Sequence, residues 1–322
     1  AVYAFMARRA PGRHAWSTAR RETDMPVILS GLVNGRTCGA ALSVMLENRD
    51  ADSQAYEAIR FLPRPSHADY PAWVKTGGEH DVRGGGQYSG RLTAPLVFAG
   101  AVCAQLLARR NIEVGAHLAA VAGIEDRAFD PVGLTSEQLG AAAKKEFPVL
   151  DDAAGERMRQ AIEQARAELD SVGGVIECAA LGLPAGLGDP MFDGLENRLA
   201  AMIFGIPAVR GIEFGAGFSA AAMRGSAHND PYFVDKEAIR ARTNHAGGVL
   251  GGMATGMPLL LRVAVKPTAS IARPQQTVDL QTRTDAVLTL QGRHDPCIAP
   301  RAVPCVEAAV AFTLLDLLLE GR

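Results

Sequence analysis

The chain has few means of cross-linking itself. Its five cysteines, Cys38, Cys103, Cys178, Cys297 and Cys305, contain no C-x-x-C pair, and an odd number cannot all pair. A disulfide framework and a structural zinc site are therefore poor readings, and a reducing cytoplasm is the expected compartment. A surplus of charge is missing too: 33 Lys and Arg against 35 Asp and Glu leave a net −2 over 322 residues. This argues against binding nucleic acid over a broad surface, so any anion site must be local. No apolar run reads as a membrane span, the longest (residues 97–108 and 305–319) being short or interrupted by charge, and the start lacks a signal-peptide pattern. What remains, 48% hydrophobic and 21% charged, is the composition of a globular protein with a real core.

The charge that is present is unevenly placed. Arg8, Arg9, Arg13, Arg20 and Arg21 crowd the first segment, with His14 among them. Near the other end, Gly292-Arg293-His294-Asp295-Pro296-Cys297 runs into Pro300-Arg301 and Pro304, so two arginines, a histidine and an aspartate share a proline-stiffened loop. Residues 305–319 carry only Glu307 and Asp316 as charges, which predicts a buried helix anchoring that loop.

Between these ends, two apolar stretches at 27–31 and 40–46 flank Asn34-Gly35, which predicts an antiparallel hairpin. Gly84-Gly85-Gly86 precedes an alanine-rich helix over 94–109, where free N–H groups and the helix dipole favour an anion. Residues 151–170 read as a solvated helix on a narrow stripe of Met158, Ile162, Ala165 and Leu169. A strand at 175–180, a turn at 183–188 and a helix at 195–204 follow. The opening helix has no strand and turn before it, so a duplicated unit would have an incomplete first copy. The glycine-dense stretch at 247–252 would let backbone approach a flat ligand. A strand over 259–265 delivers Lys266-Pro267-Thr268-Ala269-Ser270, a cation and two hydroxyls on a rigid turn suited to a phosphate.

Taken in order, these loops resemble chorismate synthase. The resemblance spans the whole chain and rests on Arg64-Pro65-Ser66-His67-Ala68-Asp69, Arg83-Gly84-Gly85-Gly86, Gly182-Leu183-Pro184-Ala185-Gly186-Leu187-Gly188, Thr243-Asn244-His245-Ala246-Gly247-Gly248, Lys266-Pro267-Thr268 and Gly292-Arg293-His294-Asp295-Pro296. It implies one α+β domain over 1–322, incomplete at its N-terminus, with helices sandwiched between antiparallel sheets in two related halves, and a homotetramer. It implies reduced FMN as cofactor and enolpyruvylshikimate phosphate as small-molecule substrate, with no nucleic-acid or membrane partner and no metal. The source of electrons stays open between a built-in NADPH-dependent reductase activity and an outside donor.

By the same resemblance, Arg9, Arg20, Arg64, Arg91 and Arg293 fall at anion-binding positions. His67 matches the histidine beside the flavin, and Asp295 the carboxylate that exchanges a proton with it. Gln87, Tyr88, Ser89, Pro207, Ala208, Gly251, Lys266, Pro267, Thr268, Ala269, Ser270 and Arg293 fall at FMN positions. Three departures accompany the match: the family's Gly-Glu-Ser-His-Gly motif is absent, its Arg-Ser-Ser-Ala-Arg reads Gln87-Tyr88-Ser89-Gly90-Arg91, and Ala15 replaces an arginine with Arg13 nearby. Two rivals stand beside the lyase reading. One is an impaired relative that binds flavin or a phosphorylated acid; the other is a generic phosphate-binding domain whose motifs scatter in space. The loops at His67, Lys266 and Asp295 must line one cleft if the second rival is to fall. His245 reads as a structural hydrogen-bonder, while His14, His80, His228 and Cys297 receive no role.

Overall fold

The structure, a computed structural model, describes residues 1–322 except 13, 15, 19, 51–53, 58, 291–293 and 321–322. Arg293, Arg13 and Ala15 therefore lie outside the described residues.

An antiparallel five-stranded sheet forms the frame, in the order Ile124–Glu125, Glu113–Val121, Gly174–Leu181, Leu259–Val265, Val209–Phe214. Its central strands are apolar on both faces because both are covered. One face packs on the last helix, Ala299–Glu320; the other receives Phe129, Leu134 and Leu139 against Ala179 and Leu260. A two-stranded sheet, Pro26–Ser30 with Ser43–Leu46, packs its partly buried Ile28, Val44 and Leu46 on the helical core. The Asn-Gly turn sits where the hairpin reading put it, between Leu32–Val33 and Arg36–Thr37, with both turn residues at positive φ. The α+β class with antiparallel sheets thus holds.

The last helix starts earlier than its apolar run, at Ala299, and takes in Pro300 and Pro304. Pro300 is cheap in the first turn, where N–H groups lack partners in any case, whereas Pro304 lies inside the helix and removes one intrahelical hydrogen bond. This helix crosses Thr93–Ala108, and by length and hydropathy both, the latter counted from Gly90, could cross a membrane. That corrects the expectation that no stretch would pass such a test. They form the central pair of the fold, and most of the last helix is buried inside the protein. At their crossing Gly100 faces Ala308 so closely that a Cβ added to Gly100 would lie 2.3 Å from it.

The charged helix Asp152–Ala167 buries Met158, Ile162 and Ala165 as its stripe requires. Leu169 does not join them: the helix has ended, Leu169 takes φ of 60° and its side chain is exposed.

Candidate active site

The site lies at one end of the sheet. Strands 209–214 and 259–265 are antiparallel, so the residues before one lie beside those after the other. Val265 pairs with Val209, and Lys266 N–H donates to Ala208 O (3.0 Å). This register, absent from any local pattern, brings Pro207 and Ala208 against Lys266–Pro267. Ala208 holds a left-handed φ of 74°, which costs a non-glycine residue on the order of 1 kcal/mol or more and marks a backbone held by its surroundings.

Around that corner lies a cleft of about 710 Å³, within the size range of small-molecule sites. Its walls include Arg9, Arg20, Arg64, His67, Gln87, Tyr88, Ser89, Arg91, Pro207, Ala208, Asp295 and all of 266–270. The loops at His67, Lys266 and Asp295 therefore share one cleft. Gly251 does not line it. The stretch 247–252 approaches backbone instead of leaving room for a ligand: a Cβ on Gly252 would meet Asp189 O at 2.2 Å, and one on Gly248 would meet Pro258 O at 2.4 Å.

Each cation in the cleft is held in its own way. Arg64 is buried and pairs with Asp69 through two hydrogen bonds, Nε to Oδ2 (2.7 Å) and Nη2 to Oδ1 (2.8 Å), while Nη1 donates to Ser270 Oγ (3.1 Å). Burial works against an ionised Asp69, but hydrogen bonds from Arg64 and His67 outweigh it and hold the carboxyl well below the usual range. Arg64 thus lines the cleft and also clamps 63–69 to Ser270. Arg9 is equally committed, to Asp24, Thr93 Oγ1 (2.9 Å) and the carbonyls of Gly90 and Arg91 (both 3.3 Å). Arg20 binds Glu22 (2.9 Å) and Asp50 O (3.0 Å).

Arg91 Nε donates to Ser89 Oγ (3.1 Å), and Lys266 Nζ donates to Ser66 O (2.7 Å). Both groups titrate below their ordinary values, first because of burial and then because of a neighbouring cation, Arg20 for Arg91 and Arg210 for Lys266. His294 is lowered likewise, by burial and then by Arg64. Burial lowers all three groups first and a neighbouring cation adds to it, so an anionic ligand would favour their charged forms.

His67 Nδ1 donates to Asp69 Oδ1 (2.6 Å). Arg64 Nη2 also stands 3.1 Å from Nδ1, but the shorter contact is to a carboxylate, which only accepts, so the ring proton is assigned to Nδ1 and Nε2 is left as the nitrogen able to accept or deliver a proton. Asp295 Oδ1 accepts Thr18 N–H (2.8 Å) and its Oδ2 accepts Arg301 Nη1 (2.6 Å).

Sequence reading missed several wall residues. Tyr56, under the Arg64 guanidinium at 5.7 Å, and Asn48 sit in stretches with no pattern. Arg301 did carry a signal, as the second arginine of the proline-stiffened loop.

Fold and cleft together define a small-molecule site walled by several cations and built from loops spread across the chain. Comparison with known proteins narrows that class. Residues 1–319 match the family model described as chorismate synthase. The chain is 50% identical over 314 residues to the chorismate synthase of Thermococcus gammatolerans, covering 98% of this chain and 86% of that one. It is 44% identical over 325 residues to that of Lancefieldella parvula, covering 98% and 85%. A solved structure titled "Crystal Structure of Chorismate Synthase" superposes with a TM-score of 0.75 at 26% identity, over 99% of this chain and 83% of that one. The chain belongs to the chorismate synthase family.

Proposed function

We propose that the protein is a carbon–oxygen lyase that converts enolpyruvylshikimate phosphate to chorismate, in the cytoplasm, as a step toward aromatic amino acids. The reaction breaks a C–O bond to phosphate and a C–H bond across the ring and forms a double bond, with no net redox change. The convergence of His67, the 266–270 turn, Asp295 and the cationic walls in one cleft carries this reading.

The substrate brings two carboxylates and a phosphate. Arg91 and Lys266, which line the cleft from different loops, are suited to take them. Arg9, Arg20 and Arg64, already paired with Asp24, Glu22 and Asp69, fix the walls and keep their remaining N–H groups for the ligand. Burying the leaving phosphate among such cations stabilises charge that grows as the C–O bond lengthens. His67, oriented by Asp69, holds or gives a proton at Nε2, and the Asp295 carboxylate receives one.

The residues present fit FMN. Thr268 Oγ1 is buried without a hydrogen-bond partner among the described residues, which calls for a polar group from outside. Ser270 Oγ accepts from Arg64 and keeps its own proton to donate. The turn 266–270, Pro207, Ala208, Gln87, Tyr88 and Ser89 would hold the cofactor, with NADPH or another donor as reductant. Reduced FMN, when bound, supplies reversible electron donation that eases departure of the phosphate.

An anaerobic assay of the full-length gene product with reduced FMN and enolpyruvylshikimate phosphate should release phosphate and chorismate in equal amounts. Flavin binding without turnover would replace this reading with that of an impaired, ligand-binding relative.

A further inference from the structure

We propose that Arg301 is the positioning residue for Asp295. The inference rests on the proton-transfer role given to Asp295 above. Each oxygen of that carboxylate takes a donor from a different part of the chain: Oδ1 from Thr18 N–H (2.8 Å), far earlier in sequence, and Oδ2 from Arg301 Nη1 (2.6 Å), six residues on. The carboxylate plane is therefore set between two fixed points, and its remaining lone pairs are directed by them.

Arg301 is well placed to be the firmer of the two. It stands in the first turn of the last helix, one residue after Pro300, with its N–H donating to Ile298 O (3.1 Å). Its Nε donates to Arg9 O (2.9 Å), the carbonyl that ends the opening helix Val2–Arg9 and has no partner within it. The planar guanidinium thus spans the end of one helix and the carboxylate of the 294–298 loop in a single rigid group. Lysine, with one ammonium on a flexible stem, would not hold both points at that geometry. The Arg301 side chain is 19% exposed and that of Asp295 12%, so the pair is largely shielded from water that would loosen it.

The geometry divides labour between neighbours. Asp295 meets the reacting groups, whereas Arg301 acts through Asp295 and ties it to Arg9 and, through Thr18, to the segment that carries Arg20. Its loss should therefore lower turnover and leave substrate affinity nearly intact.

The test uses the full chain with Arg301→Gln, Arg301→Lys, Asp295→Asn and the Arg301→Gln/Asp295→Asn double variant, in the anaerobic assay. Thermal melts would confirm folding, and amide exchange would be followed in the peptide that contains Thr18. Arg301→Gln should lower kcat about 10- to 100-fold with KM changed less than about threefold. Arg301→Lys should recover only part of that loss. The double variant should be no slower than Asp295→Asn alone, because a residue acting through another adds nothing once its target is gone. Exchange at Thr18 should rise in Arg301→Gln, a readout that needs neither flavin nor substrate. Unchanged exchange at Thr18, or losses that multiply in the double variant, would overturn the proposal. A fully active Asp295→Asn with faster Thr18 exchange in Arg301→Gln would instead remove the catalytic reading of Asp295 and leave the positioning geometry standing.

Discussion

Two buried ionic clusters in this molecule look alike on paper and differ in what surrounds them. In the core, Arg8 grips both oxygens of Glu307, and Glu307 also accepts Ala116 N–H (3.0 Å). Nearby in the sheet, His117 is fully buried with Nδ1 on Asp126 (3.0 Å) and Nε2 on Glu177 (2.9 Å), whose carboxylate also accepts Phe129 N–H. Around the cleft, Arg9, Arg64 and Arg301 pair just as closely with Asp24, Asp69 and Asp295. The core charges neither line the cleft nor depend on it, whereas the cleft charges face about 710 Å³ of open space. Burial and pairing by themselves therefore do not identify a functional charge. A cavity beside the pair, and a field that its partners do not cancel, do.

That contrast can be broken by substitutions on each side. The largest effect expected is on rate: His67→Ala should lower kcat by about 10²–10⁴-fold with little change in melting temperature, measured by phosphate release and calorimetry. Glu307→Ala should do the reverse. It strands Arg8 and the Ala116 amide in the core, so urea unfolding should show a loss of about 3–5 kcal/mol, with flavin affinity unchanged in whatever protein remains folded. If Glu307→Ala weakens flavin binding at constant stability, the division between the two clusters fails.

A smaller effect is expected at Trp16. It stacks on His14 (centroids 4.5 Å apart, planes 4° apart) and meets Phe147 edge-on, with the Arg159 guanidinium 5.9 Å above it. This aromatic stack holds the segment that delivers Thr18 and Arg20. Trp16→Ala should raise KM several-fold, and Trp16→Phe should restore most of it.

The smallest effect is a pH dependence of stability. Burial disfavours a charged His117, but Asp126 and Glu177 outweigh it and raise its pKa above the ordinary value. A raised folded-state pKa adds stability that is fully present below about pH 6.5 and fades as pH rises through the folded value. Thermal melts of the native chain and His117→Asn should therefore converge as pH increases. Curves that run parallel across that range would show that the histidine is buried neutral.

Much of this was legible from local pattern. The strand at 259–265, the helix at 195–204 and the Asn34-Gly35 hairpin follow from apolar periodicity and turn chemistry, which act over a few residues. The 266–270 turn and the His67 loop were legible as motifs because each packs its chemistry into five or six positions. The pairings were not. Arg9 with Asp24, Arg64 with Ser270 and Arg301 with Arg9 O join residues 15, 206 and 292 positions apart, and nothing local records them. Glycine density at 247–252 signals close approach but not what approaches: at Gly248 and Gly252 it is another stretch of main chain, whereas Gly251 meets only the tip of Met253 and lies away from the cleft.

The seam between Gly100 and Ala308 links core and cleft mechanically. The helix bearing Gly100 grows out of Gly90–Leu92, and the one bearing Ala308 begins two residues before Arg301, so both start at the cleft wall. With no space for even a methyl at the crossing, the two rods behave like the arms of callipers resting on a hard stop. Thickening that stop by one carbon would splay the tips, and a change deep in the interior would be felt as a wider mouth where the ligand enters.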